Sequence, residues 1–200
     1  MRRVALIVLL SIAASRADDN KDKEHFAPAA ASSYPGHQTL DKITIAAVPF
    51  VTEDQARTAF GKANPYKYGV LPVLVILENK TGKALRLNLN AEFEEAQGRH
   101  LDATPPSDVT FIGGNLKPPK VPGSGPLPFP TRKKKGPLNT WEIEGRAFTA
   151  KLLPDGDSVY GFFYFQTAQR PGSKLYLTGI KDAASGQDYF YFEVPIGDSQ

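Results

Sequence analysis

The sequence predicts an all-β protein built as an antiparallel β-sandwich, and three observations carry that prediction. From residue 41 onward the apolar residues fall in short alternating or continuous runs of strand length, with no long helical stripe. Turn-forming clusters separate the runs: Asn79-Lys80-Thr81-Gly82-Lys83, Pro154-Asp155-Gly156-Asp157 and Ala184-Ser185-Gly186-Gln187. The chain has no cysteine, so a packed core must supply the stability; a domain of about 160 residues buries roughly two-thirds of its unfolded surface, which suffices.

Taken in order, Arg2 and Arg3, an apolar run over residues 4–12 and the exit Ser15-Arg16-Ala17 read as a secretory signal peptide, residues 1–17. The run is far shorter than the ~20 residues a membrane-spanning helix needs, so no span is expected after cleavage. A lipid anchor on cysteine is excluded by composition. The expected location is therefore periplasmic or secreted. Residues 18–38, polar and rich in Ala, Ser and Pro, suit a flexible tail leading to a domain over residues 39–197.

Within that domain strands are expected at 43–50, 70–78, 84–90, 109–112, 140–144, 158–167, 174–180 and 189–195. Val73, Val75 and Leu77 alternate with Leu74 and Ile76, which predicts a strand buried on both faces. Thr52, followed by Glu53 and Asp54 and closed at Gly61, predicts a short helix over 52–60. Residues 145–153 fit two periods; Phe148 and Leu152 at i, i+4 favour helix, while Phe148, Ala150 and Leu152 also alternate.

Several short strands with one or two short helices point to the immunoglobulin type of sandwich, without its disulfide. Residues 72–79 (Pro-Val-Leu-Val-Ile-Leu-Glu-Asn), Leu85-Arg86-Leu87 and residues 153–165, with Pro154-Asp155-Gly156 before an aromatic strand, carry a resemblance. Over residues 68–195 the chain resembles uncharacterised bacterial exported or envelope proteins with an immunoglobulin-like (telokin-like) domain. The resemblance implies a fold and an export route, and no activity.

Charge narrows the partners. Removing the leader's Arg2, Arg3 and Arg16 from 24 basic residues leaves 21 against 21 acidic ones, so the pI near 9.0 does not signal nucleic-acid binding. The charge is uneven, however. Residues 104–137 form a proline-rich loop that carries Lys117, Lys120, Arg132, Lys133, Lys134 and Lys135, with no acid between Asp108 and Glu142. Proline geometry would hold such a loop extended, and its cations would dock on an anionic polymer of the cell envelope or serve simply as a solvated surface.

The aromatic strands offer a second surface. Tyr189, Tyr191 and Glu193 alternate with Phe190, Phe192 and Val194, and Tyr176 lies between Leu175 and Leu177. Period two therefore predicts a phenylalanine face in the core and an outward row of Tyr176, Tyr189 and Tyr191, joined by Tyr164 if Phe163 and Phe165 point inward. Such a row either stacks on sugars or a partner, or stabilises the sheet by cross-strand pairing.

Catalytic signals are sparse. His25 and His37 lie in the tail, His100 reads as an exposed turn residue, and no Gly-x-Ser-x-Gly elbow or cysteine nucleophile exists. Glu142 and Glu144, on one strand face beside Trp141, are the basis of an alternative reading as a carbohydrate hydrolase, although i, i+2 carboxylates point the same way. Glu92, Glu94 and Glu95 share that limit. Zinc and other cofactors are not expected with so few ligand-type residues, and Asp155-Gly156-Asp157 reads as a turn. The expected function is thus an exported cell-envelope binding or structural module.

Overall fold

The computed structural model describes residues 26–113 and 136–196. Nine strands among them form two antiparallel sheets. The first runs β1 (His37–Leu40), β2 (Ile43–Pro49), β3 (Leu71–Asn79), β7 (Ser158–Phe165); the second runs β5 (His100–Asp102), β4 (Leu85–Glu94), β8 (Lys174–Asp182), β9 (Tyr191–Pro195), with β6 (Leu152–Leu153) also on β4. The all-β sandwich expected from the sequence is therefore present.

Between the sheets lies a core of Ile43, Ile45, Val73, Val75, Leu77, Leu87, Phe93, Phe165, Leu175, Leu177 and Phe192, all fully or almost fully buried. The opposite face of the first sheet is covered as well. Leu74, Ile76, Phe162 and Tyr164 pack there under Phe60, Val109, Leu138 and Ile143. β3 is thus buried on both faces, as its continuous apolar run predicts, because a third layer of short helices covers the first sheet.

That layer begins with α1 (Glu53–Phe60). Thr52 caps it: its Oγ1 accepts from Gln55 N (3.2 Å) while Gln55 Oε1 accepts from Thr52 N (3.0 Å), a reciprocal capping box of the kind that contributes about 1 kcal/mol. Gly61 ends the helix with φ of 62°, and Phe60 drives its ring to within 4.7 Å of the Phe162 centroid.

Two expected strands are not extended. Of residues 109–112, Val109 ends α2 (Pro106–Val109) and the rest continue as turn, while residues 140–144 run into α3 (Trp141–Gly145). The reason is local in both cases. A proline suits the first turn of a helix, where its missing N–H costs nothing. Thr140 is extended at the start of α3 with Glu142 and Glu144 in its first turn, and Ile143 anchors that turn in the outer core. Short apolar runs carry no period long enough to separate the two states.

Residues 145–153 correct the helical reading in the other direction. After α3 the backbone extends alongside β7, where Phe148 N donates to Phe162 O (3.0 Å) and Phe162 N to Arg146 O (2.9 Å). Phe148 then stacks on Phe163 with centroids 5.5 Å apart, and Leu152 and Leu153 join β4. An available β7 edge outweighs helix propensity in so short a segment. Gly161 permits the approach, since a Cβ there would lie 2.5 Å from Phe148 Cα.

The described part of residues 18–38 also departs from a flexible tail. Phe26 packs its ring 5.7 Å from Phe162 and 6.0 Å from Phe50, its carbonyl accepts from Tyr160 Oη (2.8 Å), and the Arg146 guanidinium lies 5.0 Å from its ring centroid. Ala31 is fully buried, its N–H donating to Glu78 Oε1 (2.6 Å), and His37 and Gln38 already belong to β1. Composition hid this because the segment is fixed by two apolar anchors rather than by a periodic pattern.

The second sheet is closed by a buried carboxylate. Asp182 accepts from Ala184 N (2.8 Å) and Ser185 N (2.9 Å) on Oδ1 and from Lys83 Nζ (2.9 Å) on Oδ2. The Ser185 N–H above all, then the Lys83 ammonium, hold its carboxyl well below the usual range, against the opposing effect of burial. Because the folded state favours the ionised form, this stabilisation is complete above the unfolded pKa of about 4 and is lost as pH falls through that value and beyond. We expect the urea midpoint to drop between about pH 6 and about pH 2, and the Asp182→Asn variant to start lower and vary less. A variant as pH-sensitive as the parent would remove Asp182 from the acid response.

Candidate functional site

The two sheets differ in what covers them. No described element packs over the outer face of the second sheet, and its alternating strands turn their polar residues there. Register aligns them in rows. Asp102, Glu92, Tyr176 and Glu193 stand opposite one another across β5, β4, β8 and β9; His100, Glu94 and Lys174 form the neighbouring row, and Asn90, Thr178 and Tyr191 the next.

At the centre Tyr176 and Tyr191 stack, centroids 5.2 Å apart at 26°, and the His100 ring meets Tyr176 edge-on at 6.2 Å. Tyr191 is 50% exposed, so the strip presents an open ring. Around it His100 Nδ1 lies 3.1 Å from Glu92 Oε2, and Lys174 Nζ donates to Glu193 Oε2 at 3.1 Å. The Glu193 carboxylate in turn raises the Lys174 pKa. Glu95, just past β4, is tied off by Arg99, which donates from Nε (3.1 Å) and Nη2 (2.6 Å), and by Thr167 Oγ1 (3.0 Å). Those bonds, Arg99's foremost, lower the Glu95 pKa and fix the β4–β5 turn.

A kink in the backbone fixes which residues reach this face. Asn88 and Leu89 of β4 stand opposite the single residue Gly179 of β8, a β-bulge; Leu87 pairs with Ile180 and Asn90 with Thr178. The extra residue reverses the alternation of β8, so Leu175 and Leu177 before the bulge and Ile180 and Asp182 after it all point inward.

Of the predicted tyrosine row, Tyr176 and Tyr191 share the face. Tyr164 does not: it is fully buried in the outer core of the first sheet, its hydroxyl donating to Ile143 O at 2.8 Å, and burial raises its pKa. Phe163 and Phe165 do point into the inter-sheet core, but the third layer covers the side on which Tyr164 emerges. Tyr189 also departs from the row, packing against the inter-sheet core. Phe190, expected in the core, is 78% exposed. Its φ of 58° breaks the alternation before β9 begins, and Asp188 Oδ1 holds the break by accepting from Phe190 N (3.0 Å). Phe192 and Val194 remain in the core as expected.

The basic residues Lys117, Lys120, Arg132, Lys133, Lys134 and Lys135 lie outside the described residues. His100 is on β5 rather than in a turn. Glu142 and Glu144 do not share a strand face: on α3 an i, i+2 separation places them about 200° apart around the helix, which removes the geometry that coupled them beside Trp141. Asp155 and Asp157 form a turn around Gly156, with Asp155 Oδ1 accepting from Gly82 N at 2.7 Å. Asn79, at the head of the predicted turn cluster, is fully buried and engaged at its Nδ2.

Fold and face together define a β-sandwich with one sheet covered on both sides and one open, aromatic and charged on its outside. Compared with known proteins, the chain matches no protein-family model and no curated protein.

Proposed function

We propose that this protein is an exported cell-envelope module that binds or scaffolds rather than catalyses, and that its contact surface is the open face around Tyr176 and Tyr191. The observation that carries the reading is the stacked tyrosine pair with Tyr191 half exposed, together with Phe190, next to Tyr191 in the chain, held in solvent at a backbone angle that bulky side chains rarely adopt. Exposed aromatic groups framed by polar residues are the usual makings of a contact patch.

The immunoglobulin-like assignment belongs to the same proposal. In that fold strands A, B and E share one sheet and C′, C, F and G the other. Here β2, β3 and β7 lie side by side, as do β5, β4, β8 and β9, and β1 takes the outer edge beside β2. The leader-like residues 1–17 support export.

Replacing Tyr191 by serine is expected to lower retention on an intact bacterial envelope fraction at least ~10-fold while shifting the melting temperature by no more than about 2 °C. Unchanged retention would sink the open face as the contact surface. A large melting shift would mark the tyrosine as packing.

A further inference from the structure

We infer that the open face takes an extended, proline-rich basic peptide, and that the natural occupant is residues 126–135 of a second copy of this chain. The inference rests on the reading of that face as the contact surface. Its first support is charge. Glu92, Glu94, Asp102 and Glu193 outnumber Lys174 around the tyrosine pair, so this half of the face attracts cations. The chain supplies them in one place: Arg132, Lys133, Lys134 and Lys135 follow Pro126, Pro128 and Pro130 directly.

The second support is the match of chemistries. Proline rings lie flat on exposed aromatic rings, and a chain already restricted by proline loses little entropy on docking. Guanidinium and ammonium groups are drawn to tyrosine faces and to carboxylates alike. Tyr191 and Tyr176 with Glu92 and Glu193 in the same two rows offer both kinds of contact side by side.

Geometry assigns the occupant to a second copy. Gly136 N donates to Thr110 O (2.9 Å) and Leu138 is buried on the outer side of the first sheet, so Gly136, to which the basic run is joined, lies in the layer farthest from the open face. Two layer spacings of about 10 Å separate those sides, and a path between them must skirt the sandwich edge. Lys135 and Arg132 stand one and four residues from Gly136, a backbone reach of at most ~14 Å. Another molecule faces no such limit. The resulting contact joins two different surfaces, so it closes into a ring or extends into a chain of copies according to the rotation between neighbours.

A synthetic peptide with the sequence of residues 126–135, titrated into the purified protein at ~20 mM salt, is expected to bind. Affinity should fall at least ~10-fold at ~500 mM salt, with serine in place of its four cations, and against protein carrying either Tyr191→Ser or Glu92→Gln with Glu193→Gln. Sedimentation of the whole protein should show salt-sensitive self-association that the same substitutions remove. Should Tyr191→Ser disturb folding, the carboxylate pair carries the test. Absence of peptide binding, or binding indifferent to both face variants, overturns the inference. If the peptide fails while envelope retention still depends on Tyr191, the open face stands as a contact surface with a different occupant, such as a saccharide.

Discussion

Substituting Gly179 by alanine is expected to destabilise the protein by about 3–5 kcal/mol, the largest single effect of a one-carbon change in this fold. Two costs combine at this residue. Its φ of 89° is a conformation that L side chains resist, which alone costs about 1–2 kcal/mol. A Cβ there would also lie 2.0 Å from Asn88 O and 2.7 Å from Asn88 C, backbone atoms that cannot swing aside without opening the β4–β8 pairing. The bulge cannot simply be smoothed out either. Removing it would shift one end of β8 by a residue and turn either Leu175 and Leu177 or Ile180 and Asp182 out of the core. Gly156→Ala is the control: it shares a positive φ of 81° but has nothing within 4 Å of the added carbon, so only the conformational cost should appear. Urea denaturation of both variants separates the two contributions, and equal losses would show that the Asn88 contact relaxes freely.

Asn79→Asp is expected to be as damaging at neutral pH, and less so in acid. The Asn79 Nδ2 group donates towards Lys83 O (2.7 Å), Pro154 O (3.0 Å) and Leu153 O (3.1 Å), while Oδ1 accepts from Thr81 N (3.1 Å) and Thr81 Oγ1 (2.8 Å). One side chain therefore ties the β3–β4 connection, which crosses between the sheets, to the turn that leads into β7. Aspartate keeps the shape and reverses the chemistry, aiming a carboxylate oxygen of a fully buried side chain at three carbonyls. With about 1–3 kcal/mol for each buried polar group left unmatched, the loss should reach about 3–5 kcal/mol. Protonation restores one donor. The variant's carboxyl should therefore titrate above the ordinary aspartate range in the folded state, and its deficit relative to the parent should shrink as pH falls through that raised value towards about 4, below which the recovery is complete. Asn79→Ala leaves the same carbonyls unsatisfied with no such recovery. A deficit in Asn79→Asp that is flat with pH would falsify this account of the site.

Much of the fold was legible in the residues themselves. The continuous run of β3 announced burial on both faces, and the Thr52-Glu53-Asp54-Gln55 cluster announced a capped helix closed at Gly61. Each of those signals is local, set within a few residues by sterics and backbone hydrogen bonding. The open face was only half legible. Alternation found Tyr176, Tyr191 and Glu193, but Glu92, Asp102 and His100 come from two other strands, β4 and β5, and meet them only through register. Phe190 carried a faint signal in Asp188, whose side chain favours a turn two residues on, and the aromatic run around it masked that signal.

The amino-acid sequence by itself determined a disulfide-free, all-β chain whose alternating runs require one face of each strand to be buried, because side chains of an extended backbone point to opposite sides whatever surrounds them. Tertiary structure alone decided which of those faces meets water. Tyr164 and Tyr191 sit in similar aromatic runs, yet one lies under α3 and the other faces solvent. A strand has two sides by its own geometry, and only the elements packed against it determine whether one side or both are covered.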